Sequence, residues 1–486
     1  MEKAALITSK EVQRVHDASL EVLEEVGLLV RNEEAREIFS RHGCTVDRET
    51  LIVRFPHKKI EEYRSGFPES FTFRGRDPSY DRTIPRDRPV IVTGSSAPDI
   101  MDPVTREIRR STSRDIANIG FLINELEGLD VFSISTLADD APPGQFSLSR
   151  FYPALKNCTK PVRSNTPNMQ DLRDVIELGE IIAGGREAYR ERPIITHHYC
   201  PVVSPLTMDV ESTEALIYLT NERLPVYGTV VPNAGITSPM TLTGTVVIGN
   251  AEFLALGTLM QMISPSTPLI YAVLSTVADM RTAAYAPGAI ETGILQMCHS
   301  RMADFYGVPS GGYIGLTDAH VNDAQSGYET GMNTTAALLG GTDMLNMGGL
   351  LGSLMTFDFA KAVIDGEIAC MLKRLSRGVR NPPETGLNEG EFALDLIADI
   401  GPGGNYMESA HTLEHMRTAA YFPKVSIREA RDTWVKAGRQ DADTRALGIA
   451  REILNGKNDA VFSPETERAI RSRFSNLVEG NAGLDA

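Results

Sequence analysis

The chain has 486 residues, of which 42% are hydrophobic and 23% are charged. This composition is typical of a soluble globular protein and excludes a disordered chain or one that crosses a membrane repeatedly. With 48 basic and 64 acidic residues, the net charge of −16 disfavours binding to nucleic acid or to an anionic membrane surface. Five cysteines without CxxC spacing, and an N-terminus without an apolar signal segment, predict a cytoplasmic protein that lacks a disulfide framework.

The N-terminal region begins with two predicted helices. Apolar residues repeat at helical spacing over residues 9–26, with Ser9 as the N-cap, and again over residues 33–42. From residue 45 to residue 108, short apolar runs alternate with Pro, Gly and Asp clusters, which indicates short strands and hairpins. We therefore predict an α+β cap region over residues 1–110.

The middle of the chain, residues 111–422, shows the alternation of an α/β fold. Helix-like stretches and short apolar runs succeed each other about eight times, which is typical of a (β/α)8 TIM barrel. In such a barrel the loops that follow the strands form the face that carries the active site. The predicted strands are residues 131–134, 161–164, 193–196, 225–228, 268–271, 311–314, 344–347 and 396–399.

The C-terminal part of the chain is predicted to be helical. Apolar residues at helical spacing indicate one helix over residues 427–454 and another over residues 464–477. Residues 423–486 are therefore predicted to form a C-terminal helical extension.

The motif HTLEH at residues 411–415 matches a pattern in which two histidines one helical turn apart hold zinc and a glutamate acts as base. Such a short motif also occurs by chance, and these side chains can equally cap a helix at the mouth of the barrel. The preceding GPGG segment at residues 401–404 matches neither glycine-rich phosphate-binding motif, so nucleotide binding is poorly supported. We predict that the chain binds no metal.

Two other groups of residues indicate a site at the strand ends. The segment HHYC at residues 197–200 offers metal ligands or a Cys/His pair, but adjacent strand residues point to opposite faces, so only alternate ones reach the lumen. The loop over residues 311–329 is dense in Gly, Asp, Asn and hydroxyl side chains and leads into a helix. Tyrosines near the predicted strand ends supply rings that can hold a cation.

Several segments along most of the chain together resemble the trimethylamine methyltransferase superfamily, specifically its members that lack pyrrolysine. These segments are residues 102–107 (DPVTRE), 239–244 (PMTLTG), 250–252 (NAE), 280–282 (MRT), 307–312 (GVPSGG), 323–329 (DAQSGYE), 401–404 and 411–415. The resemblance implies a (β/α)8 barrel that passes a methyl group from a methylated amine to the Co(I) form of a corrinoid protein. Cobalamin would then be carried by that partner, and this chain would bind no cofactor tightly.

The resemblance also implies the class of substrate. In relatives with pyrrolysine that residue lies in the segment that reads DAQSG here, so Ser326 is expected at or near its position. Serine cannot form the adduct that activates trimethylamine. A quaternary ammonium needs no such adduct, because its methyl group already carries a neutral amine leaving group and requires only positioning and desolvation. A quaternary amine is therefore the expected substrate, with glycine betaine as the first choice, and Ser326 and Glu329 are the predicted catalytic residues.

Strand-end positions supply the rest of the expected site. Tyrosine rings with Asp279 or Glu329 would hold the cation, and Asn346, His198 or Arg281 would hold a betaine carboxylate. The predicted substrate-binding residues are His198, Tyr199, Asp279, Arg281, Tyr313, Tyr328, Asn346 and Tyr406. Gly403, Gly404 and His411 are expected to face the corrinoid protein.

Two alternatives from other classes remain open at the level of sequence. The first is a barrel that binds betaines without turnover, since the loss of pyrrolysine can remove the chemistry altogether. The second is a zinc hydrolase that uses His411, Glu414 and His415. In either case a homo-oligomer is expected, because large α/β enzymes commonly assemble symmetrically.

Overall fold

The computed structural model describes residues 3–379 and 392–484, in which helices and short strands alternate. The helices are α1 (Ser9–Glu21), α2 (Glu33–Arg41), α3 (His57–Arg64), α4 (Ser113–Glu125), α5 (Leu148–Asn157), α6 (Met169–Ala183), α7 (Arg186–Glu191), α8 (Glu211–Asn221), α9 (Leu242–Ile263), α10 (Ile290–Tyr306), α11 (Ala324–Gly340), α12 (Phe359–Ser376), α13 (Leu394–Ile400), α14 (Ala410–Ala419), α15 (Arg431–Lys436), α16 (Ala442–Leu454) and α17 (Pro464–Arg473). The strands are β1 (Leu28–Val30), β2 (Thr45–Val46), β3 (Ile52–Arg54), β4 (Phe71–Phe73), β5 (Arg82–Ile84), β6 (Val90–Val92), β7 (Asp99–Met101), β8 (Ile108–Arg110), β9 (Phe132–Ser133), β10 (Val162–Ser164), β11 (Ile195–Tyr199), β12 (Val202–Val203), β13 (Thr207–Met208), β14 (Val226–Val230), β15 (Asn233–Ala234), β16 (Tyr271–Val273), β17 (Thr276–Asp279), β18 (Ala284–Ala286), β19 (Ser310–Gly315), β20 (Met344–Met347), β21 (Leu350–Leu351) and β22 (Thr356–Asp358).

Eight parallel strands of the described chain form one sheet, in the order β6, β20, β19, β16, β14, β11, β10 and β9. The two ends of this sheet meet, because Val92 at the end of β6 forms a parallel bridge with Val131 just before β9. Helices connect successive strands. This is a (β/α)8 barrel, which confirms the predicted fold class.

Seven of the eight predicted strands overlap strands of the barrel, but the eighth prediction was wrong. Residues 396–399 lie in α13, and the barrel strand that the sequence analysis missed is β6, which it had assigned to the cap region. A run of four residues cannot distinguish a strand from a helical turn. All three residues of β6 are fully buried, as expected for a strand covered on both faces. The first 110 residues therefore contribute to the barrel itself, and the boundary at residue 422 stays a prediction.

The first helix shows how its start is fixed. The Thr8 side chain accepts a hydrogen bond from the backbone of Glu11, whose carboxylate accepts one from the backbone of Thr8. This capping box makes Thr8 the N-cap, so the predicted cap at Ser9 was wrong by one residue. The helix continues as a π-helical turn over Val22–Val26 and ends at Gly27, which has a positive φ of 79°.

An antiparallel hairpin, β4–β5, precedes the first barrel strand and packs into the amino-terminal end of the barrel. Its apolar side chains and those of the barrel interior form one buried cluster: Phe71, Phe73, Ile84, Val90, Val92, Val131, Tyr227, Ile270, Ala272 and Met344. Packed rings thus fill this end of the interior. The polar part of the lumen lies towards the carboxyl ends of the strands, where barrel enzymes carry their sites.

The C-terminal extension is helical, but its first helix is interrupted. The predicted helix over residues 427–454 is in fact α15 and α16, because Gly438 and Arg439 adopt positive φ angles of 94° and 55°. Helix α16 packs against α12 and α4, and α17 packs against α6. In contrast, α13, α14 and α15 bury none of their residues.

One helix of the described chain, α9, is long and apolar enough to cross a membrane by composition. Yet 83% of its apolar window is buried inside the fold, where it packs against α1 and α3. Burial on all sides is the property of a core helix in a large globular protein.

Candidate active site

The polar part of the lumen is built around Arg163, the central residue of β10. Its Nη2 donates a 2.9 Å hydrogen bond to Oδ1 of Asn346 on β20, and its guanidinium lies 5.7 Å from the centre of the Tyr227 ring on β14. In the closed barrel β14 lies two strands from β10 on one side and β20 three strands from it on the other, so a side chain that contacts both extends across the lumen. The side chain is fully buried, and within the described chain its Nε and Nη1 have no hydrogen-bond partner.

A second buried arginine, Arg150, reaches the same region from α5. Its Nη2 donates to Oγ of Ser164, at the end of β10, over 2.9 Å, and its Nε has no partner among the residues that the structure describes. Burial lowers the pKa of Arg150 to about 10, and burial likewise lowers the pKa of Arg163. A group with a pKa of about 10 is protonated at neutral pH, so Arg150 carries its charge inside the protein.

His198 on β11 completes this buried group. Its ring stacks on Tyr227, with centroids 5.8 Å apart and an angle of 26° between the planes. Burial, together with the charges of Arg163 and Arg150, holds the pKa of His198 well below its ordinary value, so the ring is neutral at pH 7. Its Nδ1 is buried without a partner in the described chain and is available to a ligand.

The neighbour of His198 on β11, His197, illustrates the alternation along a strand. The His197 ring lies near Phe151 of α5, at a centroid distance of 6.4 Å, and burial lowers its pKa to about 3. Tyr199 is buried and exchanges a 2.7 Å hydrogen bond with Thr166. Alternate side chains of β11 therefore face the lumen and the surrounding helices, as the sequence predicted for this segment.

Cys200, directly after β11, indicates that the barrel interior is accessible to solvent between Arg163 and Arg150 and the carboxyl end of the barrel. Its Sγ lies 2.8 Å from Oγ1 of Thr229 on β14. Surrounding protein raises the pKa of the Cys200 thiol, and yet the side chain is exposed to solvent. A residue that is enclosed by protein and still accessible lies on the wall of a cavity, here at the carboxyl end of the barrel.

The rim of the lumen is aromatic and acidic. The hydroxyl of Tyr313 on β19 exchanges a hydrogen bond with Ser95, which follows β6, and the Tyr313 phenol influences the pKa values of both Arg163 and Tyr285. Tyr313 thus lies close both to the buried arginine and to Tyr285 of the β17–β18 hairpin. Nearby, burial raises the pKa of Asp318, and the charge of Glu329 acts in the same direction.

The two predicted catalytic residues lie at the start of α11. Glu329 Oε2 accepts hydrogen bonds from Thr317 Oγ1 (2.6 Å) and from the backbone of Asp318 (2.8 Å), so this carboxylate holds the loop that follows β19. Ser326 is buried, and its backbone N–H donates to the N-cap Asp323. A catalytic role for Ser326 and Glu329 stays a prediction.

The structure brings together three of the predicted substrate-binding residues. His198, Tyr313 and Asn346 all belong to the group around Arg163. The others lie elsewhere in the fold. Tyr199 turns to Thr166, and Tyr328 is 55% exposed on the surface of α11.

Asp279 and Arg281 lie at the tip of the β17–β18 hairpin, where they pair with each other over 2.6 Å. The Arg281 side chain is 88% exposed, so it does not reach the buried group around Arg163. Strand-end position alone selected these residues from the sequence. The hairpin carries them outward instead, because its two strands extend beyond the barrel before the chain returns to α10.

The motif segments singled out near the C-terminus lie on the exposed part of the chain. Tyr406 is 41% exposed, Gly403 and Gly404 precede α14, and the rings of His411 and His415 lie 4.4 Å apart on that exposed helix. Over residues 3–379 and 392–484, no three His, Cys, Asp or Glu side chains lie close enough together to hold a metal ion.

The sequence analysis missed four residues of this site: Arg163, Arg150, Tyr285 and Asp318. One signal was available, since an arginine in the middle of a short strand otherwise buried in a barrel is unusual, and buried charges normally have a partner. The contacts that make Arg163 informative join strands far apart in sequence, and a sequence pattern does not show them.

Comparisons with known proteins identify the family of the chain. The family model described as trimethylamine methyltransferase (MTTB) matches residues 1–476. The chain belongs to this family. A trimethylamine methyltransferase MttB from Desulfitobacterium hafniense is 30% identical over 473 residues, covering 97% of this chain and 93% of that protein. A glycine betaine methyltransferase from another strain of the same species is also 30% identical, over 97% of this chain and 96% of the relative.

Among solved structures, the monomethylamine methyltransferase of Methanosarcina barkeri aligns over 93% of this chain and 94% of its own, with a TM-score of 0.47 and 12% identity. For this member of the trimethylamine methyltransferase family, the assignment of a barrel fold therefore rests on the strand order observed in its own structure. The family assigns the chain to the methyltransferases and confirms the resemblance seen in the sequence.

Proposed function

We propose that the chain transfers a methyl group from a quaternary amine to the Co(I) corrinoid of a partner protein. The observation that carries this proposal is the aromatic and acidic rim at the open end of the barrel, formed by Tyr285, Tyr313, Asp318 and Glu329. Ring faces and nearby carboxylates attract a trimethylammonium group, each ring contributing about 0.5–2 kcal/mol. Family membership supports methyl transfer as the chemistry.

The proposed reaction needs no proton donor. The Co(I) centre supplies an electron pair to one N-methyl carbon, a Co–C bond forms, and the C–N bond breaks with its pair passing to nitrogen. The products are a methyl-Co(III) corrinoid and a neutral tertiary amine. The role of the protein is then to hold the methyl carbon in line with cobalt and to exclude water.

Ser326 supports a quaternary rather than a tertiary substrate. Its hydroxyl offers no electrophile for adduct formation with trimethylamine, and its buried position at the start of α11 leaves it close to the Glu329 side of the rim. We take glycine betaine as the first candidate, since one of the relatives at 30% identity carries that substrate in its name.

The corrinoid partner would approach the carboxyl end of the barrel, where the cavity opens. We propose that the exposed segment of residues 392–422, which includes Gly403, Gly404 and His411, contacts the partner outside the mouth itself, because its end lies beside the C-terminus of α12, where Arg374 donates to the backbone carbonyl of Ala419. It displays large apolar side chains that the described residues do not cover: Phe392, Leu394, Ile397, Tyr406, Met407, Leu413, Met416 and Phe422. A homo-oligomeric assembly of the chain also stays a prediction.

The test of the function uses the purified chain, free cob(I)alamin or a corrinoid protein, and glycine betaine under anaerobic conditions. We expect loss of the Co(I) absorbance, appearance of the methyl-Co(III) spectrum, and an equal amount of dimethylglycine. Binding of glycine betaine without methyl transfer to either acceptor would favour the non-catalytic alternative.

The docking proposal has its own test. Leu413→Asp, on the exposed face of α14, should slow transfer to the corrinoid protein while leaving transfer to free cob(I)alamin unchanged. An unchanged rate with both acceptors would show that this segment has another role, and a change in the size of the assembly would assign it to contacts between copies.

A further inference from the structure

The barrel lumen contains two buried positive charges that no acidic side chain neutralises. Arg163 and Arg150 are 0% and 2% exposed, and in the described residues no Asp or Glu forms an ion pair with either. Two other buried charges of the same fold are paired, Lys361 with Asp365 and Asp358 with Arg106, and buried Lys160 donates to three backbone carbonyls, so its donors are satisfied. A buried charge without a partner is costly, so its retention indicates a ligand that supplies the opposite charge.

Polar nitrogens without partners converge on one region. Nε and Nη1 of Arg163, Nε of Arg150 and Nδ1 of His198 are all buried and form no hydrogen bond in the described chain. The arginine nitrogens are donors, whereas Nδ1 of the neutral His198 ring donates in one tautomer and accepts in the other. Tyr227 contacts both the His198 ring and the Arg163 guanidinium, and Arg150 bonds to Ser164, the residue after Arg163, so the three side chains are neighbours. A planar guanidinium with two free N–H groups matches the two oxygens of a carboxylate.

The supports of these side chains keep them in place without neutralising them. Asn346 accepts one hydrogen bond from Arg163, and the Tyr227 ring lies against the guanidinium. Ser164 and Ser96 accept from Arg150 at 2.9 and 3.4 Å. Every one of these partners is uncharged, so the region keeps a net positive charge and has preorganised donors.

The opposite polarity appears at the rim. Burial raises the pKa of Tyr285, Tyr313 and Asp318 lie close enough to raise it further, and Glu329 accepts a hydrogen bond from the backbone of Asp318. The cavity therefore has a cationic interior and an aromatic, acidic mouth. A zwitterion with a carboxylate and a quaternary ammonium group complements both ends, whereas trimethylamine and choline complement only the mouth.

We propose that Arg163 and Arg150 bind the carboxylate of a betaine inside the barrel and thereby present its trimethylammonium group at the open mouth. This inference rests on the proposed function and adds the substrate's orientation and the residues that select it. The carboxylate points away from the acceptor, and the N-methyl groups point towards it. Selection against choline follows, because choline leaves both guanidinium groups without a counter-charge.

The first test compares ligands on the wild-type chain by calorimetry. Glycine betaine should bind at least about tenfold more tightly than choline, which has the same cationic group and a hydroxyl in place of the carboxylate. Acetate, which lacks the cation, should bind more weakly than glycine betaine. Equal affinity for glycine betaine and choline would overturn the inference, and so would equal affinity for glycine betaine and acetate.

The second test removes the charge. Arg163→Gln should weaken glycine betaine binding at least about tenfold and leave choline binding unchanged, with Arg150→Gln as a second variant. Arg468→Gln, which removes an exposed arginine on α17, is the matched control and should change neither affinity. Because an unpaired buried charge is lost, the ligand-free Arg163→Gln protein should melt no lower than the wild type. A purely structural role would instead lower its melting temperature and weaken both ligands alike.

The two proposals fail in different ways. If glycine betaine and choline are demethylated equally well, the methyltransferase function stands and the carboxylate site is wrong. If no quaternary amine donates a methyl group and yet the Arg163-dependent preference for glycine betaine is observed, the carboxylate site stands and the methyl transfer is wrong.

Discussion

The barrel lumen and the exposed segment of residues 392–422 differ in almost every physical respect. In the lumen, charged and polar side chains are buried, and several lack partners in the described chain. In the exposed segment, large apolar side chains face solvent and α13 and α14 bury nothing. Each region thus holds side chains in an unfavourable environment: unpaired polar groups are buried in the lumen, and large apolar groups are exposed to water in the segment. The lumen is suited to a small charged molecule, and the segment to a protein surface.

The most conspicuous motifs do not lie in the region with the unpaired charges. GPGG and HTLEH, which suggest phosphate or zinc chemistry, belong to the exposed segment. The lumen depends on single residues such as Arg163 in a three-residue strand. In this chain, a recognisable sequence motif therefore does not mark the residues with unpaired buried charges.

The largest expected effect concerns the barrel wall. Lys361 and Asp365 form a fully buried ion pair on α12, and Lys361→Met leaves the carboxylate without its partner. We expect a loss of about 3–5 kcal/mol in the free energy of unfolding, measured by urea titration. Lys457→Met breaks an exposed pair with Asp459 in the C-terminal extension and should leave the unfolding curve unchanged. Equal losses in the free energy of unfolding for the two variants would contradict the contrast between the buried barrel wall and the exposed C-terminal extension.

A second prediction uses Glu252, a buried carboxyl on α9 that accepts hydrogen bonds from Ser204 and from the backbone of Leu206. Burial raises the pKa of Glu252 to about 7, above its ordinary value of 4.5. The folded state therefore holds this proton more tightly than the unfolded state. Its contribution to stability is present below about pH 4.5 and is lost as the pH rises to about 7, a change of about 3 kcal/mol.

Glu252→Gln copies the protonated form and separates this group from the other titrating residues. The variant should match the wild type near pH 4.5 and be the more stable protein near pH 8. Urea unfolding at both pH values measures the difference. A wild type that is no less stable than the variant at the higher pH would contradict the assignment.

The rim provides a third, smaller effect. Tyr313→Ala removes a ring from the mouth and should lower turnover of a quaternary amine about tenfold. Tyr328→Ala, on the exposed surface of α11, is the control, and kcat/KM should stay within about twofold of the wild type. If Tyr328 has the larger effect, the cation site lies on α11 as the sequence suggested.

The smallest expected effect belongs to the HTLEH motif. His411 is exposed and His415 is half-buried, and the described residues around them add no third metal ligand. Adding zinc should therefore leave the melting temperature of the protein unchanged, in the wild type and in His411→Ala alike. A zinc-dependent rise that disappears in the variant would restore the zinc hydrolase hypothesis.

The frame of the fold was predictable because its signals are local. Apolar runs directly after a proline, such as those that begin at Val162 and Val226, correctly predicted barrel strands. The first strand, Val90–Val92, was missed because a hairpin-rich segment surrounds it. In the site, His198, Asn346 and Tyr313 were found from their positions at strand ends. Arg163 was not, since its contacts to β14 and β20 join parts of the chain that only the closed barrel brings together.

The β4–β5 hairpin closes the amino-terminal end of the barrel, so the lumen has a single opening at the carboxyl end. In the reaction proposed above, substrate, product and methyl acceptor would then share one route. An amine would be unable to enter beneath a corrinoid partner that already covered the mouth, and the demethylated product would be unable to leave until that partner withdrew. We expect a compulsory order of events, in which the amine binds first and the demethylated amine departs last, so that an excess of the partner protein slows the cycle.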